Sequence, residues 1–327
     1  MATYQGARFI DEQLTSIASG TRMPDEMVIC DDGSTDDTVE RIESFVATAP
    51  FPVRVIRHAH NQGTLVAFGD AIAACHHEII VLSDQDDIWY PDRIATLVDE
   101  FGRNPSAQLA FSEADLINPD GKRIGTFWPM VGVTSEHIRL MLSQPFGLLV
   151  ARPMVGGCTM AMRSTFRDVL LPMPTIAHGQ FGPFVHDRWL SLALASLGPY
   201  ALVERPLLAY RLHSAQQIGV PSRRLRRFIP SHLRQWRQVF VPRAVQRQRL
   251  EVDRRHLVEL GRRLDASGIS TPEWAEIDAA VAHLQVRVDL PSSRVKRAKH
   301  VMAEWRTGRY KTYALGAASA IGDLVRR

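Results

Sequence analysis

Residues 79–89 read Ile-Ile-Val-Leu-Ser-Asp-Gln-Asp-Asp-Ile-Trp. A short apolar run rich in β-branched residues describes a buried strand, and Asp84, Asp86 and Asp87 crowd its end. Carboxylates this close repel one another, so they are tolerated mainly where a cation or hydrogen-bond donors compensate. Hard oxygen donors suit Mg²⁺ or Mn²⁺, ions that also bridge phosphate oxygens. The plainer reading is that Asp87 caps the next helix and Asp84 satisfies a loop.

Upstream, the chain alternates helical and extended signals. Residues 7–19 put Phe9, Ile10, Leu14 and Ile17 on one helical face. Strand 26–30 runs into Asp31-Asp32-Gly33-Ser34, with Ser34 or Thr35 placed to cap a helix over 36–47. Strand 53–57, a helix near 64–75 and strand 78–83 follow. This rhythm predicts a mostly parallel sheet flanked by helices, which binds ligands beyond the carboxyl ends of its strands. The two acidic clusters, 31–32 and 84–87, sit at two such ends. Such a domain begins with a strand, yet the opening Met-Ala-Thr-Tyr-Gln-Gly leads straight toward a helix. A strand of about five residues is therefore expected upstream of this chain.

Further along, the spacing predicts a helix near 92–102, strand 107–112, a turn at 118–121, a helix around 134–143, a glycine-containing apolar stretch at 156–162, a helix around 187–197 and strand 207–213. From there on the pattern is helical, with starts at Ser270-Thr271-Pro272-Glu273 and Pro291-Ser292-Ser293. Residues 1–219, which carry both acidic clusters, are thus read as one α/β domain, the candidate catalytic domain, and 220–327 as a basic helical region. The stretch 312–325 is too short to span a bilayer and reads as a packed helix.

The 327 residues carry a net charge of +4 that hides an asymmetry. From Ser222 onward 23 lysines and arginines face 10 acidic residues, against 16 and 25 before it. Arg223, Arg224, Arg226, Arg227, Arg234, Arg237, Arg243, Arg247 and Arg249 alternate with Leu225, Phe228, Trp236, Val239 and Phe240. That pattern fits an amphipathic helix on an anionic membrane surface, or simply solvated helix faces. No nucleic-acid-binding motif accompanies the charge, which disfavours nucleic acid as a partner. Three widely spaced cysteines offer neither a disulfide framework nor a zinc pattern, and suit a reducing compartment.

Five short motifs occur in order: Ala2-Thr3-Tyr4-Gln5-Gly6, Cys30-Asp31-Asp32-Gly33-Ser34-Thr35-Asp36, Asn61-Gln62-Gly63, Ser83-Asp84-Gln85-Asp86-Asp87-Ile88-Trp89 and Tyr210-Arg211-Leu212-His213. The series resembles the family 2 glycosyltransferases of GT-A fold, in particular their rhamnosyltransferase-like branch, over roughly residues 1–215. The resemblance implies an inverting enzyme that uses a nucleoside-diphosphate sugar, of dTDP-rhamnose or UDP-sugar type, and a divalent metal. It implies a saccharide or lipid-linked acceptor in bacterial surface polysaccharide synthesis. A cytoplasmic enzyme, peripheral at the inner face of the plasma membrane, is the matching expectation.

Residue by residue, Thr3 and Tyr4 resemble the loop flanking the base, Asp31 the residue that reads the pyrimidine, and Asp32 a neighbour against base or ribose. Asn61 and Gly63 match the loop that closes on the nucleotide. Asp84 and Asp86 match the family's DxD pair, the first nearer ribose and phosphate, the second on the metal, which His213 completes. Phe184-Val185-His186-Asp187-Arg188-Trp189 resembles the acidic motif at a helix start, making Asp187 the candidate general base and Arg188 a residue facing the diphosphate or an acidic partner. Gly156, Gly157 and Cys158 resemble the acceptor side, where missing side chains leave the sugar room; alternatively the glycines mark a tight bend.

Two other readings stay open at this level. Asp84-Gln85-Asp86-Asp87-Ile88 superficially fits the nucleophile motif of a haloacid-dehalogenase-type phosphatase, but the only lysine between Ile88 and Ser214 is Lys122. A transferase-like domain that binds nucleotide or glycan without turnover is the other.

Overall fold

The apolar runs on either side of the Asp31-Asp32-Gly33-Ser34 turn become parallel strands, joined by a helix as a crossover requires. In the computed structural model, which describes residues 1–152, 154–175, 186–214, 216, 239–269, 271 and 273–326, β1 (Ala2–Thr3), β2 (Met27–Asp31) and β3 (Val53–Arg57) form a parallel sheet in that order. Register pairs Thr3 with Asp31 and Asp31 with Arg57, so these strand ends share one rim. α1 (Ile10–Ala18) buries Ile10, Leu14 and Ile17, the stripe its spacing predicts. The chain opens on a short strand rather than leading directly into this helix.

α2 (Thr38–Val46) departs from expectation at its start. Its N-cap is Asp37, without a side-chain cap bond. The expected caps are engaged elsewhere: Ser34 Oγ donates to Asp31 (2.6 Å) and Thr35 Oγ1 accepts from Gln5 Nε2 (2.9 Å). α3 (Thr64–Ala73) then leads toward a second sheet.

That sheet corrects the expectation of a mostly parallel arrangement. It comprises β4 (Ile79–Val81), β5 (Ile88–Trp89), β6 (Leu109–Ile117), β7 (Arg123–Thr126), β8 (Met160–Arg163) and β9 (Tyr200–Arg211). Its order is β4-β8-β6-β9-β5 with β7 on β6, and only β6 and β9 run parallel. The β6–β7 connection shows why: Asn118-Pro119-Asp120-Gly121 is a tight turn, with Gly121 at φ +79° and its N–H on Asn118 O at 3.0 Å. A turn that short returns the chain antiparallel, whereas parallel pairing needs a long crossover.

The remaining helices of this part are α4 (Arg93–Arg103), α5 (Phe127–Val131), α6 (Ser135–Ser143), α7 (Pro145–Ala151), α8 (Arg167–Leu170) and α9 (His186–Ala195). The C-terminal part holds α10 (Arg243–Ala266), α11 (Trp274–Val288), α12 (Arg294–Arg306), α13 (Arg309–Tyr313) and α14 (Ala317–Val325). One buried cluster joins both parts: Phe68, Leu109 and Trp189 pack in the same core as Leu257, Leu260, Leu264 and Leu284. The stretch read as one packed helix is split: residues 312–313 end α13 and Ala317–Val325 form α14, whose Ala320 joins a core of Leu290, Val301 and Tyr310.

Several C-terminal arginines are matched inside the protein. Arg254 and Arg255 pair with Glu251, and Arg262 and Arg263 with Glu259, each one turn along α10. Such helix-surface pairs contribute only about 0.2–0.5 kcal/mol each, so the apolar stripe, not the ion pairs, holds α10 down. Arg287 and Arg326 converge on the buried Asp323 at 2.7 and 2.6 Å. The arginines at 223–237, the 219–222 boundary and the Ser270 and Pro272 helix-start residues lie outside the described residues. Among the described residues no helix is long and apolar enough to cross a membrane.

A cavity of about 360 Å³ lies between Met27–Val28 of β2 and Ile79–Val81 of β4. Asp84, Asp86 and Asp187 do not line it.

Candidate active site

The acidic motif after β4 is fastened to the chain's opening loop and to the end of β9. Gln85 Oε1 accepts from Tyr4 N at 2.8 Å while its Nε2 donates to Tyr4 O at 3.0 Å. Gly6 is required by this bridge, since a Cβ there would fall 2.3 Å from Gln85 Oε1. On the other side the buried Arg211 donates from Nε to Asp86 O (2.8 Å) and from its backbone N–H to Asp87 Oδ1 (3.1 Å). Asp87 is therefore not the cap of α4; its carboxylate faces inward, and its Oδ2 has no partner among the described residues.

Arg211 also places His213, two residues on. His213 Nε2 lies 2.7 Å from Asp86 Oδ2, across 127 positions of sequence, and its ring packs 4.9 Å from that of Phe9. An imidazole and a carboxylate oxygen brought together at a strand mouth are a competent start to a Mn²⁺ or Mg²⁺ site. Asp84 turns to a second group: donor atoms of Asp84, Asp87 and Cys158 lie within 4.8 Å of one another. Burial, then Asp86 and Asp187, pushes the Asp84 carboxyl up to about 7. Asp87 is raised well above the usual range by burial and by Asp86 and Asp84. Burial also holds the Cys158 thiol far above its ordinary value, so that sulfur stays protonated and is a poor ligand. Carboxylates left this uncomfortable fit a site completed by a divalent cation.

Asp187 opens α9 within the electrostatic reach of Asp84. Its Oδ2 accepts from Gly157 N at 3.3 Å, and burial raises its carboxyl to about 6. Phe184 and Val185, which precede it in the expected motif, lie outside the described residues. Arg188 takes the second of its two expected roles, pairing with Asp253 of α10 at 2.8 Å. The glycines at 156–157 are explained by close packing: a Cβ at Gly157 would lie 2.3 Å from His186 Nε2, and one at Gly156 3.0 Å from Phe127. Those two rings occupy the space a side chain would take at each glycine.

The rim formed by β1, β2 and the loop after β3 carries the residues expected at the nucleotide. Asp31 is buried and accepts from Thr3 Oγ1 (3.0 Å), Ser34 N (2.8 Å) and Ser34 Oγ (2.6 Å). Asp32 accepts from the backbone N–H groups of Gln62 and Gly63, both at 2.8 Å. Asp32 thus fastens the 61–63 loop. Gly63 sits at φ +95° with open space where a side chain would go, and Asn61 and Tyr4 are exposed.

Sequence reasoning passed over Gln85 and Arg93. Arg93 is fully buried beneath the cluster, donates to Cys158 O at 2.6 Å, and lies 4.6 Å over the Trp89 ring. Its Nε and Nη1 have no partner among the described residues, and burial lowers its pKa to about 10. With the buried N-terminal ammonium and the Arg211 N–H, it is one of the groups that offset Asp84 and Asp87. No local signal marks it, because an arginine at a helix start ordinarily reads as solvated.

Residues 1–170 match the family described as Glycosyl transferase family 2. The chain belongs to glycosyltransferase family 2. A dTDP-rhamnosyl transferase, RfbG of Shigella flexneri, is 33% identical over 229 residues, 67% of this chain and 73% of that protein. An uncharacterized glycosyltransferase of Nostoc is 26% identical over 215 residues, 66% of this chain and 64% of that one. The chain spans less than half, 42%, of matching uncharacterized mycobacterial proteins. In fold, this family 2 chain superposes on Staphylococcus aureus TarS 1-349 in complex with UDP-GlcNAc with a TM-score of 0.55, at 14% identity, over 99% of this chain and 87% of TarS. The GT-A fold and rhamnosyltransferase-like kinship expected from the motifs are those of its relatives, and membership of this family displaces the phosphatase alternative.

Proposed function

We propose that this family 2 chain is an inverting, metal-dependent hexosyltransferase acting on a nucleoside-diphosphate sugar of dTDP-rhamnose or UDP-sugar type. The observation that carries the reading is the grouping of Asp84, Asp86 and His213 at one strand mouth, with Asp187 at the start of α9 close enough to raise the Asp84 carboxyl. The family match and the kinship to a dTDP-rhamnosyl transferase support it.

Asp86 and His213 would hold Mg²⁺ or Mn²⁺, with Asp84 toward ribose and phosphate. A metal there supplies Lewis-acid stabilisation of charge on a departing nucleoside diphosphate. Asp31, braced by Thr3 and Ser34, stands at the base end, and the 61–63 loop covers the nucleotide. Asp187 accepts the proton of the acceptor hydroxyl as that oxygen attacks the anomeric carbon, and the glycosyl–phosphate bond breaks in the same displacement. A base raised to about 6 is still largely ionised at neutral pH. Gly157 N–H aims the carboxylate and Arg93 limits repulsion beneath Asp84.

The experiment is a thermal-shift panel of nucleoside diphosphates and nucleotide sugars, with and without Mn²⁺. A ligand at a hundred times its Kd adds about 2.7 kcal/mol of stability, so a response to one base and only with metal names the donor class. A flat panel removes the reading.

The acceptor is a saccharide or lipid-linked saccharide of a bacterial surface polysaccharide. The arginine-rich stretch from Arg223 to Arg249 would attach the enzyme to the inner face of the plasma membrane. Sedimentation with anionic vesicles at low salt is expected to carry the protein down and, at high salt, to release it; no binding at low salt eliminates that attachment.

A further inference from the structure

His58, one residue beyond β3, lies between two carboxylates with its side chain only 7% exposed. Its Nδ1 is 2.8 Å from Asp32 Oδ1 and its Nε2 is 2.9 Å from Asp70 Oδ2. A neutral imidazole has a single N–H and can donate to one carboxylate, so this geometry needs both nitrogens protonated. The Asp32 hydrogen bond holds the imidazole above its ordinary pKa, with burial opposing and Asp70 adding to the rise. Asp32 is also the acceptor for Gln62 N and Gly63 N. The loop lies tight over the turn below, where a Cβ on Gly33 would meet the His60 carbonyl carbon at 2.8 Å. The contacts close a ring: His58 to Asp32, Asp32 to Gln62 and Gly63, then along α3 to Asp70 and back to His58.

We propose that the His58 imidazolium is a clasp that holds the 61–63 loop in its donor-binding shape, making His58 a positioning residue for the nucleotide. This rests on the family 2 reading of that loop.

A zinc ion held by Cys30, His58 and Asp70 is the competing account, since their donor atoms lie within 4.8 Å of one another. Two ligands on a tetrahedral zinc with bonds of about 2.0–2.1 Å stand roughly 3.3 Å apart. The 2.9 Å between His58 Nε2 and Asp70 Oδ2 is a hydrogen bond instead. Burial, with Asp70 and Asp32 nearby, pushes the Cys30 thiol up to about 12, so it faces the ring as a neutral S–H.

The test uses the full chain with His58→Gln, and with Asp70→Asn at an exposed position whose loss leaves the fold intact. Steady-state transfer is expected to show the donor KM of His58→Gln raised about tenfold, the scale of one charge-assisted hydrogen bond, with kcat and acceptor KM within about twofold. Asp70→Asn should move the donor KM the same way by less. The groups facing the ring are Asp32, Cys30 and Asp70. A histidine of raised pKa keeps its contribution below its ordinary pKa and loses it as pH climbs through the raised one. Wild-type donor KM should therefore rise on the alkaline side, and the His58→Gln profile should lack that step. Hydrogen exchange reads the clasp without turnover: Gln62 and Gly63 amides are protected in the wild type and exposed in His58→Gln. Unchanged protection and donor KM in both variants overturn the clasp, as does one zinc per chain that His58→Gln releases. Absent wild-type turnover with intact His58-dependent protection sinks the family 2 reading of the loop instead.

Discussion

Replacing Asp187 by Asn is expected to lower kcat for transfer by about 10²–10⁴-fold, the usual contribution of a general base, while leaving nucleotide-sugar affinity near wild type. Asn preserves the shape at the start of α9 and can still face the Gly157 N–H, so the loss reads the proton transfer and not a collapsed site. The pH profile supplies an independent check. Burial raises the Asp187 carboxyl to about 6, so the base is progressively protonated below that value and wild-type kcat/KM should fall as pH drops through it. The acid limb should vanish from the residual activity of Asp187→Asn. Equal rates for the two proteins, or an acid limb that survives the substitution, dismiss Asp187 as the base. Isothermal titration with the donor separates binding from turnover.

Asp86→Ala is expected to remove the metal response. Asp86 reaches His213 Nε2 at 2.7 Å, and truncating it leaves the imidazole without its carboxylate partner. With Mn²⁺ at a hundred times its wild-type Kd, the wild type gains about 2.7 kcal/mol of stability, visible as a rise in Tm that the variant lacks. Transfer should fall by at least about 10³-fold, since a Lewis acid at a leaving phosphate supplies several kcal/mol. His213→Ala should follow in the same direction. A variant that keeps both the Mn²⁺-dependent Tm and normal turnover places the metal elsewhere.

The two substitutions test different halves of one electrostatic arrangement. Asp84 lies between them, raised to about 7 by burial and by both Asp86 and Asp187. Arg93 below it cannot satisfy three carboxylates, and Asp87 Oδ2 has no partner among the described residues. With Asp84 and Asp87 raised this far, the cluster retains protons that a bound cation would displace, and metal should therefore raise stability as well as rate.

What sequence alone determined is the local part: a strand leading to Asp84, Asp86 and Asp87, a βαβ beginning, a turn at 118–121 and, from Arg243 on, an arginine-rich helical end. Each depends on periodicity, turn chemistry or an apolar run within one element, which neighbouring residues specify by themselves. Strand direction was not legible there, because an apolar run looks the same whether its neighbour runs parallel or antiparallel; the second sheet is mainly antiparallel. Nor was the division of labour among the acids. Tertiary structure set Asp86 against His213, turned Asp87 inward onto Arg211, gave Asp32 to the Gln62 and Gly63 amides, and buried Arg93 under the cluster. Those outcomes depend on desolvation and on partners 30 to 127 positions away, and both come into being only when the chain is packed.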